Sequence, residues 1–161
     1  MGAGKTAVLG EASDILALRR IVHAAIDVDV LGVAHLPAGV RNDDAMYANL
    51  RSVCQNYAAL GVERFLLARA IEDQAQLAQC REAVSAANAI VCRLAAKIEA
   101  MQQRVAMRES GVLQQGYVAR VAKLSEILDI AQLEDFSVDN ESCPLTDVAM
   151  EMLVKAGWIS S

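Results

Sequence analysis

The sequence predicts an α/β fold with a mostly parallel sheet covered by helices on both faces. Two observations carry this expectation. Segments rich in β-branched residues alternate with segments of helical periodicity, in the order strand, helix, strand, helix, strand through the middle of the chain. Hydrophobic residues make up 55% of the 161 positions but aromatic residues only 4%, so the core must be built from Ala, Val, Leu, Ile and Met. Such a core suits helices packed on a sheet, and the length suits one domain over residues 1–161.

The elements follow in order. Val8, Leu9, Ala12, Ile15 and Leu16 recur at helical spacing from Thr6 to the pair Arg19 and Arg20. "IVHAAIDVDVL", from Ile21, reads as a buried strand whose C-terminal edge is marked by Asp27 and Asp29. "LPAGVRND" is turn chemistry. "DDAMYANLRSVCQNYAALG" is a helix, with Asp44 near its start and Gly61 past its end. "VERFLLARAI" is a second strand, "EDQAQLAQCREAVSAAN" a third helix and "AIVCRLAA" a third strand. A more helical region, about 97–134, contains "KIEAMQQRVAMRESG" and "LQQGYVARVAKLSEILDIAQLE". The short strand "FSVDN" follows, then a last helix from Pro144 to Gly157.

Composition excludes several classes of function. The net charge is −5 and the 15 basic residues are spread along the chain, so no basic patch suggests nucleic acid. No uncharged apolar run is long enough to span a membrane. Cys54, Cys80, Cys92 and Cys143 are far apart, with no paired spacing, and read as reduced thiols of a soluble cytoplasmic protein. His23 and His35 have no partner pattern.

The chemistry is concentrated at the amino end. "MGAGKT" supplies the end of the phosphate-loop pattern G-x-x-x-x-G-K-[ST], whose first glycine would fall before Met1. A loop with Gly2, Ala3 and Gly4 can turn backbone N–H groups inward, and the helix that follows offers its positive end. Lys5 adds a charge, and Thr6 offers a hydroxyl to Mg²⁺. Taken alone, the same residues also read as a flexible, glycine-bearing amino terminus. Asp27 and Asp29, at i and i+2 of one strand, are expected on the same side at a strand end, where open α/β sheets bind ligands. The competing reading for them is a helix cap or a solvated turn. Arg104 and Arg108 leave one face of a helix, either as a pair of cations for a transferring phosphoryl group or as a solvated face beside Glu109.

On "GAGKT", the strand ending in "DVD" and "RVAMRESG", the chain resembles the P-loop small-molecule kinases, of the shikimate-kinase-like and gluconate-kinase-like type. The resemblance implies a three-layer α/β/α P-loop NTPase fold that is N-terminally truncated, with a helical lid at about 97–134. It implies ATP and Mg²⁺ as cofactors and phosphoryl transfer to the hydroxyl or phosphate of a small metabolite. In that scheme Gly2, Ala3, Gly4, Lys5 and Thr6 bind the nucleotide, with Thr6 on the metal. Asp29, or else Asp27, orients or deprotonates the acceptor, and Arg104 and Arg108 are lid arginines. Arg41 and Arg51 are candidates to contact an anionic substrate. After the next strand the chain departs from the pattern, offering Arg69 and Glu72 in place of a cleaner acid or glycine signature.

The family's strand order is commonly second, third, first, fourth, fifth, and no residues are present here for the first. The expectation is that an internal Met was taken as the start, or that the gap is closed by direct pairing or by a strand from another chain. Two other classes of function stay open: a catalytically inactive nucleotide-binding or regulatory protein, in one form a homodimer whose partner covers the open sheet, and a structural α/β protein.

Overall fold

The computed structural model describes residues 1–85 and 88–160. They form a mixed α/β molecule of six α-helices and four short strands. Helix α1 (Lys5–Leu18) starts from Gly4, whose φ of 84° lies in the left-handed region open to glycine, and buries Val8, Ala12, Ile15 and Leu16 along one face. Strand β1 (Ala24–Asp27) runs directly into a 3-10 helix over Val28–Gly32. Helix α2 (Asn42–Ala59) carries Asp43 and Asp44 in its first turn, where acids complement the positive helix end. Gly61, with φ 89°, lies just past its end.

Strand β2 (Phe65–Ala68) leads to α3 (Gln74–Val84), capped by the Asp73 carboxylate, which accepts from the Gln76 N–H at 2.8 Å. The helix expected over 72–88 is thus observed over its central part, and 86–87 lie outside the described residues. Strand β3 (Cys92–Ala95), α4 (Ile98–Arg108), α5 (Gln114–Ala131), β4 (Phe136–Asp139) and α6 (Leu145–Lys155) complete the order. Each element type expected from the sequence is present.

Two expectations are corrected. The strand read from Ile21 to Leu31 spans four residues only, because Asp27 caps the backbone that follows it: its Oδ1 accepts from the Asp29 N–H at 3.1 Å and turns the chain into the 3-10 helix. Asp29 therefore lies in that helix and not on the strand. The expected single sheet is also divided. β1 pairs with β2 and β3 with β4, all parallel, and no strand joins the two pairs among the described residues.

Hydrophobic burial follows the same division. Beside β3 and β4, α1 and α6 enclose Val8, Ala12, Leu16, Val138, Val148 and Leu153. Helices α2 and α3 pack Met46, Leu50, Cys54 and Cys80 against Ile26 and Val28. Leu66 joins the first cluster while Phe65 and Leu67 join the second, so β2 separates two helical layers. A third cluster, Met101, Val105 and Val121, packs α4 and α5 beside Met1 and Ala3. No helix among the described residues is long and apolar enough to cross a membrane.

Candidate functional site

The amino-terminal loop is held from two sides. Asn140, just past β4, is the one buried polar side chain among the described residues, 8% exposed, and its amide donates to the Ala3 carbonyl at 2.7 Å. A Cβ at Gly4 would strike that amide, and a Cβ at Gly2 would strike the Met101 carbonyl. Both glycines also have positive φ, 73° at Gly2 and 84° at Gly4. Close packing and backbone conformation thus both require glycine there. Arg104 donates to the Asn140 carbonyl at 2.8 Å and to the Gly2 carbonyl at 3.5 Å, bracing the same loop from α4.

This loop presents the start of α1. The first helical bond runs from the Val8 N–H to the Gly4 carbonyl at 2.9 Å, so the N–H groups of Lys5, Thr6 and Ala7 have no helical acceptor. Such a helix end attracts anions. The Thr6 hydroxyl donates to Asp27 Oδ2 at 2.6 Å, joining the helix to the end of β1. Asp27 thus engages one oxygen with Thr6 and the other with the Asp29 backbone.

Asp29, 52% exposed, lies between two cations. Lys5 Nζ is 3.9 Å from Oδ2 and Arg69 is 3.3 Å from Oδ1. The Arg69 side chain is 13% exposed, rests 5.5 Å from the centre of the Tyr47 ring and reaches Asp43 at 3.2 Å. Its Nε is buried without a hydrogen-bond partner. Burial, followed by the nearby Cys80, pushes the Tyr47 hydroxyl up to about 12, so it stays neutral beside the guanidinium. Four residues past β2, Glu72 pairs with Arg120 of α5 at 2.9 Å.

The structure therefore gathers Gly2, Ala3, Gly4, Lys5, Thr6, Asp27 and Asp29 at one end of the strands and adds Arg69 and Asp43, which had been given no role. Their signal was position: Arg69 directly follows a strand, and Asp43 opens a helix. Of the other candidates, Arg104 braces the loop, and the remaining three have partners of their own. Arg108 pairs with its neighbour Glu109 at 2.8 Å on the surface. Arg51 pairs with Glu82 at 2.8 Å, linking α2 to α3, and Arg41 is exposed, 3.8 Å from Asp43.

The donor set fits a phosphate chain: three unpaired backbone N–H groups, Lys5, and a hydroxyl–carboxylate pair able to offer oxygens to a hard cation. No cluster of three or more His, Cys, Asp or Glu side chains forms a metal cage among the described residues. Mg²⁺ needs none when phosphate and water complete its shell. A cavity of about 400 Å³ lies beside this group, between β2 and β3. No protein family, curated protein or solved structure matches the chain.

Proposed function

We propose that the chain is a nucleotide-binding domain of the P-loop kinase type, acting in the cytoplasm, in which ATP and Mg²⁺ serve phosphoryl transfer to a hydroxyl or phosphate of a small metabolite. The observation that carries this reading is the 2.6 Å bond from Thr6 to Asp27, which couples the glycine loop and helix start to an acidic strand end. Bound Mg-ATP would supply the transferable phosphoryl group and a charge-neutralising cation. The chain supplies placement. The free N–H groups of α1 and the Lys5 ammonium hold negative oxygens, Thr6 and Asp27 offer oxygens to the cation, and Asp29 is the acid available to orient an acceptor hydroxyl.

A second reading, nucleotide binding without transfer, is favoured by the arginines. Arg104 is engaged with two backbone carbonyls and Arg108 with Glu109, so neither is free to cover a reacting phosphate without giving up its present partner.

The test is thermal unfolding of the chain and of Thr6→Val and Thr6→Ser, with and without saturating Mg-ATP, followed by ADP release across a metabolite panel. Ligand at a hundred times its dissociation constant stabilises by about 2.7 kcal/mol. A shift kept in Thr6→Ser and lost in Thr6→Val, with ADP release, supports the kinase. The same shift with no release supports the binding protein, and no shift in the parent chain overturns both.

A further inference from the structure

Strands β2 and β3 face one another across the cleft of about 400 Å³ without pairing. The Arg64 carbonyl accepts from Ala24 at 2.9 Å, and the Val91 and Ala95 carbonyls accept from Asp135 at 2.9 Å and Asn140 at 2.8 Å. In an extended strand the N–H and C=O of one residue point to one side and those of the next to the other. Phe65 and Leu67 in β2, and Cys92 and Leu94 in β3, therefore turn their peptide groups into the cleft. Two unpaired ladders are presented to the same space, and unpaired buried peptide groups are costly.

The two pairs share a direction. Thr6 bonds Asp27 at the C-terminal end of β1, and Ala3 bonds Asn140 just past the C-terminal end of β4. All four strands thus end at the amino-terminal loop, and Met1 and Ala3 line the cleft.

We propose that this cleft seats a fifth, apolar β-strand, covalently continuous with Met1 and parallel to β2 and β3, that joins the two pairs into one sheet. Continuity with Met1 brings such a strand in at the right end and in the right direction. A second copy is the poorer occupant, because each of the four strands already belongs to a pair of its own. Strands buried on both faces are continuous β-branched runs, which sets the chemistry of the occupant. The inference rests on strand geometry and stands apart from the nucleotide reading.

The test fuses Val-Ile-Val-Leu-Val ahead of Met1, with a control carrying proline at the third position, and follows amide hydrogen exchange, thermal unfolding and sedimentation. In the unextended chain the Phe65, Leu67, Cys92 and Leu94 amides should exchange faster than those of Leu66 and Arg93, which face their own partners. The extension should slow those four by about tenfold or more and raise Tm, while the proline control, lacking a ladder donor, should do neither. If the unextended chain shows no protected amides at all, protection gained from the extension supports the proposal and continued exchange overturns it. It is also overturned if the extension leaves the four exposed, or if the unextended chain already protects them, as a monomer through direct pairing or as a dimer through a second copy. Nucleotide is absent throughout, so failure here leaves the kinase reading untouched.

Discussion

Asp27 engages both of its carboxylate oxygens, one with Thr6 and one with the Asp29 backbone, and this explains why its neighbourhood was only partly legible. An acid at the end of a β-branched run announces a strand end. Whether it then caps the next turn depends on local backbone geometry that the run "VDVL" conceals. Asn140 was read only as part of "FSVDN", since its partner, the Ala3 carbonyl, is 137 residues away. Asn140→Ala should leave that carbonyl without its donor and cost about 1–3 kcal/mol, measured by urea unfolding. The Met1 amine sets a pH dependence. Its folded pKa is lowered from 8.0 to about 6, so the unfolded chain binds more protons between these values. Stability should therefore rise as pH increases from 6 to 8, and Tm scans before and after acetylation of that amine should show the slope and its loss.

Among the elements, helices were the more legible because their apolar spacing persists over several turns. Helix α2 buries Met46, Leu50 and Cys54, at the i, i+4 and i+8 positions its sequence displays, with Tyr47 beside them. Leu50 is fully buried, and Leu50→Ala should destabilise by about 2–5 kcal/mol in chemical denaturation. Strands of four residues give a weaker signal: the first three were read too long from flanking apolar residues, and the fourth only by Asn140. The arginines of α4 show a further limit. Their spacing on one helix was visible, but it does not tell which cation meets a carbonyl and which meets solvent. Arg104 is drawn inward by the Gly2 and Asn140 carbonyls, whereas Arg108 turns to Glu109.

For the whole molecule, the alternation of elements conveyed an α/β architecture with parallel strands, while the division into two strand pairs depended on which edges meet, a long-range property that periodicity does not encode. The first core cluster unites residues 8–16 of α1 with residues 138–153 of the last strand and helix. A chain ending at residue 134 should accordingly lose its cooperative thermal transition, as read by circular dichroism. The Asn140 to Ala3 bond joins nearly the whole length of the polypeptide. Contacts so distant in sequence are slow to form, because the intervening chain must be ordered before they can close. On the ribosome the residues around Ala3 would wait, unanchored, until β4 and Asn140 had emerged. The glycine loop, made long before its partner, would be among the last parts of the protein to acquire its shape.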